Sequence, residues 1–212
     1  MSIPSLLRIE EHKALNSLDL NGSILDIGGD KRSEYLSFIK GNHTITTINL
    51  DEKSKPDIVH DLEKPMLIRK EQYDHVLMIN VLEHIFNYRS RLEEAIRVIK
   101  PGGTMVIIVP FLFPIHPSPN DYHRFTAQTL QKELEILKAK DIQIQALGRG
   151  VFTARYLMLD RLLPGPIRFL RYYSVRYCAY FCDWLFIKIS EKLGKKYKKE
   201  DYALGYCITA QK

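Results

Sequence analysis

The sequence predicts an α/β fold with a doubly wound, mostly parallel sheet. Two observations support this prediction. Short apolar segments of strand length alternate along the chain with segments of helical periodicity. The first apolar segment, residues 23–27, is apolar enough to be buried on both faces, as an inner parallel strand is. It ends at Gly28-Gly29, where a sharp turn lets a ligand lie against backbone N–H groups at the start of the next helix.

The predicted helices follow in chain order. Residues 5–18 should form a helix that packs over an edge of the sheet. A second helix should follow the paired glycines and stop near Gly41, because glycine favours the end of a helix. Ser90 and Glu93 have the spacing of a capping box, which predicts the start of a third helix. Thr126 predicts the start of a fourth.

Strands are predicted where a short run is rich in apolar or β-branched residues. After residues 23–27, these runs are 44–50, 56–61, 73–79, 104–109, 142–147 and 202–211. The chain therefore supplies seven strands, with helical segments between most of them. No internal repeat or low-complexity tract interrupts the pattern.

Length and cysteine content limit the class of protein. At 212 residues the chain can bury a full core, so we expect a single domain over residues 1–212. Cys178, Cys182 and Cys207 are an odd number without metal-ligand spacing, which favours buried thiols in a reducing cytosol. Acidic residues soon after the N-terminus leave no apolar segment typical of a signal peptide. We therefore expect a cytoplasmic protein.

Positive charge and aromatic residues are concentrated in residues 151–200. This stretch holds 11 Lys or Arg against 4 Asp or Glu, a balance of +7 against +6 for the whole chain. It also holds 11 of the 22 aromatic residues. We interpret it as a basic, aromatic helical insertion before the last strand. Nucleic acid is not the expected partner, because the basic residues lie beside apolar aromatic ones instead of along a solvated stripe.

Residues 167–189 of this insertion are largely apolar but do not form an ordinary transmembrane span. Four charged residues interrupt them, and on a helix these would occupy one arc and leave a broad apolar face that includes Trp184. The interrupting residues are Arg168, Arg171, Arg176 and Asp183. The apolar face could lie on the inner surface of a membrane, with Lys195, Lys196, Lys198 and Lys199 near anionic headgroups. The alternatives are that it covers a substrate pocket or forms a homodimer.

Asp51 ends the second predicted strand and points to a bound nucleoside. It lies about 20 residues beyond the paired glycines, the separation at which an acidic residue commonly accepts the two ribose hydroxyls. A nicotinamide-dependent dehydrogenase would carry G-x-G-x-x-G after its first strand. Here Gly28-Gly29 is followed by Asp30, and no further glycine occurs before Gly41. The sequence therefore disfavours a dehydrogenase.

An ordered set of motifs resembles class I S-adenosylmethionine-dependent methyltransferases of the methyltransferase type 11 kind. The set consists of residues 25–29, Asp51, Asp61, the run 73–84 and the run 97–103. Segments 109–111, 116–117 and 121–126 further resemble members associated with bacterial cell-surface glycan synthesis. The resemblance covers residues 22–148 and implies a cofactor-binding core at 20–150. It also implies a Rossmann-like seven-stranded sheet whose last strand is antiparallel and lies at an edge.

The resemblance implies methyl transfer from S-adenosylmethionine to a hydroxyl of a glycan, a lipid-linked saccharide or a related small molecule. The residues it assigns to the cofactor are Asp26 and Gly28 for the methionine part, Gly29 in the same turn, Asp51 for the ribose, Asp61 and Leu62 for adenine, and Asn80 for the amino group. Asp30 stands where the family usually has a small residue, so it should point away, pair with Lys31 or Arg32, or cap the following helix. The alternative is a non-catalytic scaffold with a degenerate cofactor site.

The loop after the fifth predicted strand supplies the candidates for catalysis. Transfer to a hydroxyl requires alignment and removal of a proton, and histidine titrates near neutrality, so His116 is the first candidate base. Asp121 is the second, and Arg124 would hold the acceptor or pair with Asp121 in a purely structural loop. The Glu83-His84 pair resembles one that binds a divalent cation in some O-methyltransferases together with an earlier glutamate. Asn80 occupies that earlier position, so we expect no metal.

Overall fold

The computed structural model describes residues 4–31, 33–160, 162–164, 166–167, 169, 172, 174–194 and 197–212, without the side chains of residues 160 and 199. Its strands are β1 (Gly22–Ile27), β2 (His43–Asn49), β3 (Ile58–Val59), β4 (Tyr73–Ile79), β5 (Ile99–Pro110), β6 (Lys140–Leu147) and β7 (Gly205–Gln211). Its α-helices are α1 (Leu6–Leu15), α2 (Tyr88–Val98), α3 (Ala127–Ile136), α4 (Val151–Asp160) and α5 (Val175–Lys192).

The strands form one seven-stranded sheet in the order β3-β2-β1-β4-β5-β7-β6. All neighbouring pairs from β3 to β5 are parallel, and β7 runs antiparallel to both of its neighbours. This arrangement confirms the predicted seven-stranded, mostly parallel, Rossmann-like sheet. The strand order reverses between β1 and β4, so the carboxyl ends of these two strands flank a crevice of the kind that binds ligands in open α/β sheets.

The position of β7 corrects one expectation. The last strand is antiparallel but does not lie at an edge, because β7 is inserted between β5 and β6. The burial patterns explain this order. Nearly every residue of β7 is buried, whereas residues of β6 alternate between exposed and partly buried over most of the strand. The strand with one solvated face therefore takes the edge.

The segment after the paired glycines corrects another expectation. It contains a five-residue 3-10 helix, Glu34–Phe38, instead of an α-helix. Ser33 accepts a hydrogen bond from the backbone N–H of Asp30 through Oγ, at 3.2 Å, and donates to the Asp30 carboxylate. Such short-range bonds give the backbone an alternative to helical pairing, so the chain forms a polar loop before the 3-10 helix.

The start of α2 also differs from the prediction. The helix begins at Tyr88, so Ser90 lies inside its first turn and makes no capping box with Glu93. A side chain distant in sequence instead accepts hydrogen bonds from the N–H groups just before this helix. The Glu63 carboxylate accepts from the backbone N–H of Phe86 at 2.6 Å and of Asn87 at 3.5 Å. The predicted cap at Thr126 is confirmed, since its Oγ1 accepts from Thr129 N.

Two buried clusters, one on each face of the sheet, hold the fold together. Residues of α2 and α3 pack on one face against side chains such as Leu25, Ile27 and Met78. Residues of α1 and α4 pack on the other face against side chains such as Ile24 and Leu77. Because these five sheet residues are fully buried, the two central strands are inner strands, as predicted for β1. No helix in the described part of the chain is long and apolar enough to cross a membrane.

The helical insertion is anchored by a buried carboxylate. Asp183 of α5 accepts from the backbone N–H groups of Phe152 and Thr153, each at 2.9 Å, and so satisfies free donors in the first turn of α4. Asp183 is 1% exposed, so this part of the predicted charged arc faces inward. Arg168 and Arg171 of the same arc lie outside the described residues, as do Lys195 and Lys196.

The cysteines follow the orientation of these elements. Cys207 is buried in β7, as predicted for a thiol of the core. Cys182 is only partly buried and Cys178 is exposed, which corrects the expectation of buried thiols. Both residues lie on α5, whose inward side is fixed by Asp183, so their positions on the helix leave them at its margin and outward side.

We predict that Asp183→Ala destabilises the protein. The substitution leaves two N–H groups at the start of α4 without their acceptor, and loss of such a cap typically costs about 1–2 kcal/mol. Urea denaturation followed by circular dichroism measures the change in unfolding free energy. Asp201→Ala, which removes an exposed carboxylate, is the matched control and should change the stability by less than about 0.5 kcal/mol. Equal stability of the two variants would contradict the anchoring role.

Candidate active site

Two adjoining cavities open at the crevice where the strand order reverses. The first has a volume of about 730 Å³ and is lined by α1, the loop after β1 and the loop after β5. The second, of about 480 Å³, lies beside the ends of β2 and β4. Both cavities are lined by Gly28, Asn80, His84 and Ser118. Volumes of this size are typical of small-molecule sites, so the crevice has room for two ligands that meet at a shared wall.

The turn after β1 can be made only by glycines. Gly28 has a φ of +85°, and a Cβ at this position would lie 2.4 Å from Cγ2 of Val81. A Cβ at Gly29 would lie 1.8 Å from Oδ2 of Asp26. No real Cβ approaches other atoms so closely, so neither residue can carry a side chain without a shift of the structure. The missing side chains bring the backbone of the turn to the wall of both cavities.

Asp26 supports this turn from below. It is completely buried, and its Oδ2 accepts a hydrogen bond from the Tyr35 hydroxyl at 2.7 Å. Burial raises the pKa of Asp26 to about 7, against the opposing effect of the Tyr35 hydrogen bond. Burial also raises the pKa of Tyr35, so its hydroxyl stays protonated and donates. Asp26 itself lines neither cavity, but its hydrogen-bond partner Tyr35 lines the first.

Asp30 lies on the wall of the first cavity and is held by the Ser33 hydroxyl. The expected pairing with Lys31 is wrong, because Lys31 Nζ lies 2.6 Å from Oδ1 of Asp57. Arg32, the other predicted partner, lies outside the described residues. Since no α-helix follows the turn, Asp30 does not cap one either.

The acidic residues assigned to the nucleoside take different positions. Asp61 and Leu62 line the second cavity, with Asp61 accepting from the backbone N–H of Glu63 at 3.0 Å. Asp51 lies two residues beyond the end of β2 and lines neither cavity, and its Oδ1 accepts from the N–H of Lys53 at 3.0 Å. Asp51 therefore stabilises the turn after β2 in this structure. Its contact with a ribose stays a prediction.

Asn49 is a residue of the second cavity that sequence reasoning missed. Its Nδ2 donates to the carbonyl oxygen of Gly28 at 2.8 Å and so ties the end of β2 to the glycine turn. The available signal was its position two residues before Asp51 at the carboxyl end of a predicted strand. Nothing in the residue type distinguished it from an ordinary turn asparagine.

Helix α1 forms part of the site as well as packing on the sheet. Asn80 directly follows β4 and has a φ of +50°, and its Nδ2 donates to Oε1 of Glu11 at 2.9 Å. Arg8 approaches the other Glu11 oxygen at 3.5 Å. Burial raises the pKa of Glu11 above its ordinary value. Arg8 and Glu11 line the first cavity, and sequence periodicity gave no sign that this helix contributes polar groups to a site.

His116 is the one predicted catalytic residue on a cavity wall. Its Nδ1 lies 3.1 Å from the carbonyl oxygen of Pro114 and 3.3 Å from Oδ2 of Asp121. Both of these atoms can only accept, so Nδ1 carries a proton and Nε2 is the basic nitrogen of the neutral ring. Nε2 lies 3.6 Å from Oε1 of Glu83, and this carboxylate raises the pKa of His116 against the lowering effect of burial.

Asp121 and Arg124 hold the loop that carries His116. Asp121 accepts from the His116 backbone N–H at 2.8 Å and from Arg124 Nη2 at 2.7 Å. Arg124 also donates to the carbonyl oxygen of His123 at 2.7 Å. The guanidinium holds the pKa of Asp121 well below its usual range, so the carboxylate stays ionised. Neither residue lines a cavity, which favours a positioning role over direct contact with a substrate.

Glu83 is the least expected member of the site. It is completely buried, and neither of its carboxylate oxygens has a hydrogen-bond partner among the described residues. Its neighbours are the rings of His84 and His116, with ligand-type atoms of the three residues within 4.8 Å of one another. These donor types could hold a divalent cation, and they could equally hold a protonated imidazole beside the carboxylate. The sequence pointed to the Glu83-His84 pair, but it could not predict that His116 lies beside this pair.

Known proteins share both the sequence pattern and the fold. The chain matches the model of a methyltransferase domain over residues 5–141. No curated protein matches the chain in sequence. An S-adenosylmethionine-dependent methyltransferase from Archaeoglobus fulgidus has a similar structure, with a TM-score of 0.56, 16% identity, and coverage of 98% of this chain and 92% of that one.

Two further solved structures are similar. An S-adenosylmethionine-dependent methyltransferase from Thermotoga maritima gives a TM-score of 0.59 at 13% identity, with 98% of this chain and 91% of that one covered. Phosphoethanolamine N-methyltransferase 2 of Haemonchus contortus, in complex with S-adenosylmethionine, gives 0.57 at 14% identity, with 96% of this chain and 51% of that one covered. The family match confirms the predicted enzyme class, a methyltransferase. The chain belongs to the methyltransferase domain family, and its fold is that of S-adenosylmethionine-dependent methyltransferases.

Proposed function

We propose that this methyltransferase acts on a hydroxyl of a glycan, a lipid-linked saccharide or a related small molecule. The observation that carries the proposal is the placement of His116, whose ring lies on the wall of the larger cavity beside the shared wall with the smaller one. A hydroxyl acceptor must lose a proton as the methyl arrives, and a neutral imidazole in this position can take it.

The second cavity and the glycine turn fit the nucleoside and amino acid parts of S-adenosylmethionine. Gly28 presents backbone to both cavities, Asp61 and Leu62 lie on the wall of the second, and Asn80 lies between the two. We infer that these residues hold the cofactor, with Gly29 and Asp26 shaping the turn and Asp51 at the ribose. When bound, the cofactor supplies an electrophilic methyl group on a sulfonium.

The protein's part in the reaction is alignment and proton removal. The protonated Nδ1 of His116 is held by the Pro114 carbonyl and Asp121, which fixes the ring and leaves Nε2 to accept the proton. The nearby Glu83 carboxylate stabilises the imidazolium that results. Arg124 acts through Asp121 by holding the loop. The polar groups of Arg8 and Glu11 are then available to orient an acceptor in the first cavity.

The main alternative is a membrane-associated or dimeric scaffold with a degenerate cofactor site. Asp30 supports this alternative, because its carboxylate lies on the first cavity near the turn that would receive the cofactor's own carboxylate. Calorimetric titration with S-adenosylmethionine, followed by a screen of glycans and lipid-linked sugars for methyl transfer, separates the two functions. A scaffold would show neither binding nor turnover.

Gly29→Ala tests the cofactor site. The added Cβ would meet Oδ2 of Asp26, and overpacking of this kind costs about 1–3 kcal/mol, so S-adenosylmethionine binding should weaken by a comparable amount. Calorimetry measures the affinity. Gly102→Ala is the control. Its φ of +78° also strains an alanine, but the Cβ would have no neighbour within 4 Å and the residue lines neither cavity, so this variant should bind the cofactor as the wild type does. Wild-type affinity in Gly29→Ala would show that the turn does not shape the site.

His116→Ala tests the base. Turnover on the true acceptor should fall by about 10² to 10⁴-fold, the usual contribution of a general base, while cofactor affinity stays near that of the wild type. Asp121→Asn should cost less if the aspartate only positions the ring. A larger loss in Asp121→Asn, with His116→Ala nearly silent, would transfer the role to Asp121. Repeating the assay with a chelator shows whether a cation at Glu83, His84 and His116 is needed, since only a bound metal would make turnover sensitive to it.

The pH dependence of turnover provides a second test of the same residue. A base works in its neutral form, so turnover should rise with pH through the pKa of His116, which Glu83 holds above its ordinary value. Glu83→Gln removes the charge that favours the imidazolium and lowers this pKa. The rising limb of the pH profile should therefore shift to lower pH in the variant. An unchanged limb would mean that another group controls it.

A further inference from the structure

The outward face of α5 carries large apolar side chains that nothing in the described structure covers. Tyr177, Phe181, Trp184, Leu185 and Ile189 are each at least 40% exposed. Their spacing of three, four and seven residues places them on one side of the helix, where they form a continuous strip. We call these five residues the aromatic strip. A soluble surface rarely exposes so many large apolar groups together unless it binds something.

The orientation of α5 is fixed, so this exposure is a built feature. Asp183 is tied to the backbone at the start of α4, and Ala179 and Ser190 are buried on the same side of the helix. The Tyr180 hydroxyl donates to Oε1 of Glu10 on α1 at 3.1 Å. The helix could bury its aromatic strip against the protein only by exposing Asp183 and breaking these contacts. The structure instead buries the carboxylate and leaves the strip in water.

Charges on the same side indicate what the strip meets. Lys188 and Lys192 continue the side that carries Phe181 and Trp184, at spacings of three and four residues. Of the acidic residues of α5, Asp183 is turned inward and Glu191 lies 3.1 Å from Lys188. The sequence after the helix adds Lys195, Lys196, Lys198 and Lys199. An apolar, Trp-containing face that ends in cations is typical of helices that lie in a membrane interface.

We propose that α5 lies in the interface of an anionic lipid bilayer, with the aromatic strip among the acyl chains and Lys188 and Lys192 at the headgroups. A second copy of the chain fits this face less well. A twofold contact would place the same surface of α5 against itself. Glu191 is the one acidic residue of α5 near the strip, so such a contact would bring lysines of the two copies together, and like charges repel. An anionic surface gains from the same charges.

Trp184 is the only tryptophan of the chain, so its fluorescence reports directly on this face. The intact protein is titrated with phosphatidylcholine vesicles and with vesicles that also contain phosphatidylglycerol. We expect the emission to shift to shorter wavelength and to be quenched by brominated acyl chains only with the anionic vesicles. Added salt should reverse the binding, because it screens the lysines. Unchanged emission with anionic vesicles at low salt would overturn the proposal.

Two pairs of substitutions separate specific contact from general attraction. Lys188→Gln with Lys192→Gln should lower vesicle affinity about thirtyfold, given the usual contribution of about 1 kcal/mol for each lysine near an anionic surface. Lys132→Gln with Lys140→Gln is the matched control, since Lys132 also pairs with a glutamate three residues on, at 3.3 Å, and both lysines are exposed elsewhere. The control should bind as the wild type does. An equal loss of vesicle affinity in the two double variants would show that the protein is attracted to anionic vesicles by its overall positive charge, without a defined binding face.

The apolar contribution and the competing homodimer are tested separately. Phe181→Ser should abolish most vesicle binding while circular dichroism stays unchanged, because the side chain is exposed in the free protein. Light scattering on the wild type should give a monomer in the absence of vesicles. A dimer whose Trp184 emission is already at short wavelength and does not respond to vesicles would assign the strip to a second copy.

Discussion

The close approach of Gly29 to Asp26 is the contact on which the site depends. A buried carboxylate lies so near the turn after β1 that no Cβ can stand between them. The carboxylate is in turn held by the Tyr35 hydroxyl, which borders the larger cavity. Asn49 fixes the other side of the turn from the end of β2. The turn is thus held by Asp26 on one side and by Asn49 on the other, and its Gly28 lines both cavities.

The periodicity of the sequence was sufficient to predict the sheet, because alternation of apolar runs with helical segments is a local signal. It failed where distant groups decide the outcome. The start of α2 is set by Glu63 from another loop, and the place of β7 by burial on both of its faces. The polar loop at Asp30 and Ser33 replaced a helix through bonds that propensity alone does not reveal.

The same limit applies to the site. Strand-end residues such as Gly28, Asp61 and Asn80 could be assigned from a motif, and they do line the cavities. Arg8 and Glu11 could not, because they reach the crevice from a helix that precedes every motif in the chain. The contact between Glu83 and His116 could not be predicted either. It depends on how the proline-rich loop after β5 folds back towards the end of β4, where the Asp121–Arg124 ion pair holds it.

The placement of the two ends of the described chain has a practical consequence for work with this protein. Pro4 and Ser5 border the larger cavity, so an affinity tag fused ahead of them lies close in sequence to this cavity. Because β7 runs antiparallel to β5, its last residue, Gln211, pairs with Thr104 in the amino-terminal half of β5, at the opposite end of the strands from the cavities. A purification handle or a fluorophore attached after Lys212 is therefore kept away from both cavities, whereas one at the other end is joined to residues that line the larger cavity.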